Sequence, residues 1–397
     1  MPVGILRRIH ARPHSTLDGD GRERRACKSG SRPRCRYGGE GWEATLCVPQ
    51  NSPGSVPNGV RAHPVLVPSP LGLPRALGTK MFPLARRLGL NRRVPMACFD
   101  DVLRLTGNTD ERYLEAAVRQ LRGVMREGHF DAVYSEFSIA ATIAARAEGI
   151  PVFGTVSYPT QPSYASDPSC AVGVNRVLRS LSMEPVRSPE DVLLMPQMRF
   201  VPSCRSMEPF PDGAPVVFTG PFGGMPPKAA VVHRDAVVAY LGNGTLTPRK
   251  ACAVLAKALR GSGLELYVAG LPEGFARGVR TAPRFDFAER LPRAAIFVNH
   301  GGQNSVMDGI AHETPQLICP GKVFERRFNA DAAVHNGLGI SLEHNRFNEG
   351  AVHEAIERLM DARKAFQEAA TVLRGELVAL GGAAKVLSSM ESNLACP

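Results

Sequence analysis

The groups able to do chemistry are densest between Ile296 and Ala330. Ile296 to Asp308 reads as a buried strand, a Gly301-Gly302 turn and the start of a helix. A helix N-terminus presents free N–H groups and the positive end of its peptide dipoles, and glycines let a phosphate come close to the backbone. The segment therefore suits a diphosphate, with His300 and Ser305 as added side-chain donors. Asp308 lies one turn into the helix, where a carboxylate can accept ribose hydroxyls. A Gly-Gly turn after a strand also serves as a plain tight connection with a satisfied histidine, so the following residues decide between the two. Thr314 to Pro320 reads as a second short strand ending in proline, Phe324 to Ala330 opens a helix, and Gly337-Leu338-Gly339-Ile340 follows. In open α/β sheets ligands sit beyond the carboxyl ends of the strands, so both turns should face one crevice.

The order HGGxNSxxD, TPQ, P, ERxxNA and GLG resembles the donor-binding signature of family 1 UDP-sugar glycosyltransferases and the related bacterial MurG-like enzymes. Their usual form is HGGxxSxxE, G-[VT]-PQ, P, DQxxNA and GxG. The match is tight from His300 to Ile340 and looser from Asp110 to Val378. It implies a GT-B fold: α/β, with two Rossmann-like domains whose parallel sheets face each other across a crevice. It also implies that His300, Gly301, Gly302, Asn304 and Ser305 contact the diphosphate, that Asp308 holds the ribose and that Glu325 holds the sugar hydroxyls. Two departures leave the sugar open: Asp308 is one methylene shorter than the usual Glu, and Arg326 replaces the usual Gln beside Glu325. Gly244 and Thr245, after a strand ending at Leu241, resemble the family's other phosphate-facing loop.

Inverting transfer without a metal needs a base for the acceptor proton and a charge sink for the leaving diphosphate. The helix N-terminus with His300 is the expected sink, because preorganised donors placed where charge develops are a large catalytic term. In the enzymes this chain resembles, the base is often a histidine in a glycine-rich loop after the first strand, a role that suits a side chain titrating near neutrality. Residues 1–43 show no apolar strand followed by such a loop. His10 and His14 lie there without the expected frame, and His14 stands as the candidate for a second catalytic residue. Asp100-Asp101 reads more readily as the acidic first turn of a helix than as a catalytic pair. Asp131 and Glu136, at the ends of a strand, are similarly weak candidates.

These groups must be positioned by elements that the sequence also marks. With 397 residues the chain exceeds the usual size of one core, so two domains are expected. Residues 1–43 are a divergent segment rich in Arg, Gly, Pro and Ser. Residues 44–220 are expected to form a Rossmann-like domain, 221–227 a Gly/Pro linker, 228–378 a second Rossmann-like domain and 379–397 a C-terminal helix, and the resemblance implies that the first binds the acceptor and the second the nucleotide sugar. Helical spacing starts at Asp110. Phe130 to Tyr134, Ser138 to Ala147 and Ile150 to Thr155 read as strand, helix and strand, and Val237 to Leu241, Thr247 to Leu259 and Leu264 to Ala269 repeat the alternation. Asn348 is an N-cap candidate, and Gly381-Gly382 breaks the last helices apart.

Apolar residues make up 44% and charged residues 21%, the balance of a folded soluble protein. The net charge of +11 favours an anionic partner such as phosphate, nucleic acid or a membrane surface. Nucleic acid ranks last, because aromatic residues are only 6% and no recognised binding module appears. Nine cysteines without a CxxC pair or a Cys/His cluster indicate reduced thiols in a cytoplasm, with no metal site. No apolar stretch approaches the roughly 20 residues of a membrane span, so any membrane contact is peripheral. Interleaved basic and apolar residues from Lys80 to Leu88 suit such a contact, with a packed amphipathic helix as the alternative.

The expected function is transfer of a hexose-type sugar from a nucleotide diphosphate, UDP ahead of dTDP, to a hydroxyl or phosphate of a natural product or lipid-linked acceptor in bacterial secondary metabolism. The nucleotide sugar is a substrate, and no cofactor is expected. The alternative from another class is a catalytically silent nucleotide-sugar-binding protein.

Overall fold

A computed structural model describes residues 3–8, 42–50, 56, 60–73, 95–228, 233–242 and 244–395, the first stretch by its backbone. The described residues form two seven-stranded sheets. The first contains β1 (Val3–Arg8), β2 (Trp42–Pro49), β3 (Arg61–Val65), β4 (Ala132–Glu136), β5 (Val152–Thr155), β6 (Met198–Val201) and β7 (Val216–Phe218), in the order β3-β2-β1-β4-β5-β6-β7. The second contains β8 (Ala236–Tyr240), β9 (Glu265–Ala269), β10 (Gly274–Ala276), β11 (Val279–Ala282), β12 (Ala294–Asn299), β13 (Gln316–Ile318) and β14 (Gly339–Ser341), in the order β10-β11-β9-β8-β12-β13-β14. Its pairings are parallel except in the β10–β11 hairpin.

Local chemistry explains the helices that cover these sheets. In the first domain α1 spans Phe99–Thr106, α2 Glu111–Gly128, α3 Ile139–Ala147 and α4 Val172–Ser180. Asp110 caps α2 by accepting the Tyr113 amide, and Ser138 caps α3 by accepting that of Ala141, each satisfying an otherwise orphaned donor. The inward residues of α2 and α3, including Leu114, Leu121, Met125, Ile139 and Ile143, form one buried core with Val133 and Val152. In the second domain α5 (Pro248–Ala258) begins at the N-cap Thr247, and α9 (Glu349–Asp361) at Asn348, whose side chain accepts the Ala351 amide. Leu255, Val352 and Ile356 from these helices pack against Val237, Val298 and Leu317.

The N-terminal segment differs from expectation. Residues 1–43 showed no strand, yet Val3–Arg8 lies between β2 and β4, antiparallel to both. A six-residue strand with arginines at its end carries too little apolar alternation to be seen locally, and its neighbours in the sheet come from far along the chain. Its direction matters, because Arg8 leaves the sheet at the end opposite the carboxyl ends of β4 and β5. His10, His14 and the Lys80 to Leu88 segment lie outside the described residues.

The two domains meet at several points. Met96 bridges to Val323, with Phe324 N donating to the Met96 carbonyl at 3.0 Å. After α10 (Arg363–Ala379), Gly382 at φ +57 donates to the Thr219 carbonyl at 2.7 Å, and a Cβ there would stand 2.9 Å from the Pro221 carbonyl oxygen. Only glycine fits that close approach with a positive φ. The turn sends α11 (Ala383–Ala395) back onto the first domain, where Val386 and Met390 join Trp42, Tyr134, Phe153 and Phe200 in a buried cluster. Trp42 Nε1 donates to Glu391 Oε1 at 2.9 Å. No helix among the described residues is long and apolar enough to cross a membrane.

Candidate functional site

β12 ends at Asn299, and His300, Gly301 and Gly302 carry the chain into α7 (Gln303–Ala311). A buried amide network fixes this turn. Asn299 Nδ2 donates to Gln316 Oε1 at 2.9 Å, Gly301 N to Asn299 Oδ1 at 2.8 Å, and Asn329 Nδ2 to the Gly301 carbonyl at 2.9 Å. Gly301 has φ +75, and a Cβ there would lie 2.7 Å from the Arg326 carbonyl oxygen, so both conformation and space require glycine. Gly302 is the N-cap of α7 with no side chain of its own to cap the helix.

Three chain segments converge here. Gly244, in the loop after β8, lies close enough that an added Cβ would stand 3.5 Å from Arg326 Nη1 and 3.6 Å from His300 Cβ. Thr245 Oγ1 accepts the Lys322 amide at 3.1 Å, pinning that loop to the turn before α8 (Phe324–His335). His300 sits edge-on to Tyr240, ring centroids 5.5 Å apart. Its Nδ1 is buried without a hydrogen-bond partner among the described residues. Burial, aided by the Arg326 charge, pushes the imidazole down to about 4, while a backbone interaction with Tyr240 works weakly the other way. His300 is therefore neutral at pH 7. The sink expected of it is a hydrogen bond, not a charge.

The other expected residues fall along α7 and α8. Asn304 is exposed and Ser305 buried in the first turn of α7. Asp308 is half-buried, and burial pushes its carboxyl up to about 6. Glu325 lies in the first turn of α8. Burial raises its carboxyl, opposed by Arg326, the Asn329 side chain and the Gln303 backbone.

Sequence reasoning missed the residues that the first domain brings to this place. Glu208, after β6, is 3% exposed and accepts the Tyr158 amide at 2.6 Å, with Gln303 Nε2 at 3.5 Å from its other oxygen. Burial pushes its carboxyl up to about 7. Ser203, Met207, Glu208, Gln303 and Asn329 line a small cavity between the domains. Tyr158 stacks on Phe328 of α8 at 5.5 Å, and Tyr164 meets it edge-on at 5.7 Å. No local motif marks these contacts, which arise only when the domains meet.

Cys98, Asp100 and Glu190 place ligand-type atoms within 4.8 Å of one another, all three residues buried. Three of the four carboxyl oxygens are already engaged, and Glu190 Oε2 has no partner among the described residues. Asp100 accepts the amides of Asp167 and Glu190, and Glu190 accepts that of Asp100. This reciprocal capping fits the reading of Asp100 as a helix-start residue. The described cysteines at 47, 98, 170, 204, 252 and 319 are free thiols.

The chain is similar to several known proteins. Residues 267–392 match the family described as erythromycin biosynthesis protein CIII-like, C-terminal domain. The chain is 32% identical over 122 residues to an uncharacterized UDP-glucosyltransferase, YojK, of Bacillus subtilis (strain 168), covering 30% of this chain and 28% of that protein. It is 26% identical over 98 residues to UDP-glucosyltransferase B1 of Starmerella bombicola, covering 25% and 22%. The matched stretches thus span about a quarter of each of these relatives. Among solved structures, the calicheamicin glycosyltransferase CalG4 aligns with a TM-score of 0.59 at 19% identity, over 72% of this chain and 78% of that one. The glycosyltransferase VinC, in complex with dTDP, aligns at 0.58 and 18% identity, over 85% and 88%. A variant of Os79 from O. sativa, in complex with UDP, aligns at 0.61 and 14% identity, over 88% and 93%. The chain has the GT-B fold, and its residues 267–392 are similar to the erythromycin CIII-like C-terminal domain.

Proposed function

We propose that the protein is a glycosyltransferase that moves a hexose-type sugar from UDP or dTDP to a hydroxyl of a natural product. The carrying observation is the convergence of the Gly244 loop, His300 and the N-terminus of α7 beyond the carboxyl ends of β8 and β12. Free amides, a neutral imidazole donor and closely approachable glycine backbone suit a diphosphate. In this reading Gly244, Thr245, His300, Gly301, Gly302, Asn304 and Ser305 hold the diphosphate, Asp308 the ribose and Glu325 the sugar. The acceptor enters from the first domain, near Tyr158, Tyr164 and Glu208. No metal is assigned to the diphosphate, because the groups placed around it in this reading are N–H and hydroxyl donors and a guanidinium.

Both nucleotides remain in the proposal, because the solved relatives include complexes with dTDP and with UDP. A catalytically silent binding protein is the second reading. The reversed direction of β1 favours it, since Arg8 ends that strand on the side of the sheet away from the crevice. Release of UDP or dTDP from a panel of nucleotide sugars, with and without polyketide, macrolide and flavonoid acceptors, separates the two. Acceptor-dependent release supports transfer, and saturable binding without release from any donor supports the silent reading.

A further inference from the structure

We propose that Arg326 is the fixed counter-charge for the departing nucleoside diphosphate, an assignment that rests on the reading of this crevice as a nucleotide-sugar site. Arg326 is the third residue of α8, and its guanidinium reaches the spot that Gly244 and His300 also border. The same hypothetical Cβ on Gly244 would touch Arg326 Nη1 at 3.5 Å and His300 Cβ at 3.6 Å. The absence of a side chain at Gly244 is what leaves that space open.

Arg326 differs from Arg327 beside it and from Arg234 at the far end of the same sheet. Arg327 donates to the Gly321 carbonyl at 2.9 Å and pairs with Glu343 at 3.7 Å. Arg234, also buried, donates to the carbonyls of Ala294 and His312 and to Thr314. Among the described residues the Arg326 side chain makes no hydrogen bond and no ion pair, although Glu325 precedes it and acts on it through space. A half-buried guanidinium stays charged, and holding it without a partner costs free energy that a bound anion would return.

The alternative cation is removed by the same arrangement. His300 is held neutral by burial and by Arg326 itself, so the site holds one charge and one neutral donor instead of two competing cations. In the transfer step the bond from the anomeric carbon to the β-phosphate oxygen breaks with its electron pair on that oxygen. The acceptor oxygen bonds the anomeric carbon and gives its proton to a base or to water. The leaving diphosphate gains one negative charge, and two N–H groups of a planar guanidinium can meet it. The glutamine usual at this position in the resembling family supplies hydrogen bonds but no charge.

Calorimetric titration of the full chain with uridine, UMP and UDP tests this, using the wild type, Arg326→Gln and Arg326→Lys. Loss of a charged hydrogen bond predicts that Arg326→Gln weakens UDP about tenfold or more while UMP and uridine change by less than about threefold, with Arg326→Lys between the two. An unchanged UDP affinity in Arg326→Gln overturns the proposal, and with a selective loss of UDP-sugar binding it would place Arg326 at the sugar. Equal losses for uridine, UMP and UDP also overturn it, by showing that Arg326 only supports the loop. If Arg326→Gln does not fold, the Lys variant carries the same comparison. A wild type that binds none of these ligands, nor dTDP, overturns the nucleotide-sugar reading itself.

Discussion

A Cβ at Gly302 would stand 2.8 Å from Nε2 of His300 and 3.2 Å from its Cε1, so the imidazole occupies space that only glycine leaves free. Gly302 itself has φ −65, which alanine adopts without strain. Gly302→Ala should therefore act on the histidine and leave the backbone largely alone. The expected result is a drop in turnover of about tenfold or more with little change in Tm, the size of effect expected when one preorganised donor is displaced. In combination with His300→Ala the two losses should not add, because both remove the same group. Fully additive losses would show that Gly302 acts elsewhere.

His300→Ala should lower kcat by roughly a hundredfold while the protein stays folded. The free imidazole should titrate near 4, well below its ordinary value, because burial and Arg326 disfavour the charged form. His300 is thus neutral from pH 5 upward and contributes no limb to a pH–rate profile between 6 and 7. An imidazole resonance of His300 that titrates at the ordinary 6.5 would contradict the burial argument.

Glu325→Ala should impair use of the sugar nucleotide and leave free UDP or dTDP binding nearly intact. Titration calorimetry with each ligand distinguishes the outcomes. Equal losses would move Glu325 from the sugar to the nucleotide.

Acid stability offers a test away from the crevice. Glu190 is fully buried beside Asp100, and burial, with the Asp100 charge, pushes its carboxyl up to about 8; Asp100 itself is pushed up to about 6. In the unfolded chain both ionise near the ordinary carboxylate values, so between those values and the folded ones the native state holds more protons. Their contribution is present in full below about 4 and is lost as the pH rises through 6 and then 8. Tm should fall by several degrees from pH 5 to pH 8, and Glu190→Gln should flatten that slope. A slope unchanged in Glu190→Gln would show that this carboxyl is not the group titrating.

Met390 is 1% exposed and packs with Trp42, Phe153 and Phe200, although it comes from the last helix of the chain. Met390→Ala should cost about 2–5 kcal/mol, the range for truncating a large buried side chain. Chemical denaturation with Trp42 fluorescence as the probe measures it. A loss under about 0.5 kcal/mol would mean that α11 does not hold the first domain together.

What could be read locally was the alternation of apolar strands and capped helices, including Asp110, Ser138, Thr247 and Asn348 as helix starts, together with the turn from Asn299 to Gln303. These signals lie within a few residues of the structure they specify. β1 could not be read in that way, because its place between β2 and β4 depends on partners up to residue 135. The same holds for Glu208 and Tyr158, which reach the crevice only through the packing of one domain on the other, and for α11, whose apolar face looks ordinary until Trp42 is seen beneath it. Arg326 was visible as a departure from the glutamine usual in the resembling family, but its lack of a partner is a property of three dimensions.

The most direct measurement is a titration of imidazole-15N-labelled protein with UDP and with uridine, following the His300 resonances assigned by their loss in His300→Ala. A diphosphate cradle at the turn before α7 predicts a saturable shift of His300 with UDP and almost none with uridine. Saturating UDP binding that leaves the His300 resonances unmoved would contradict it.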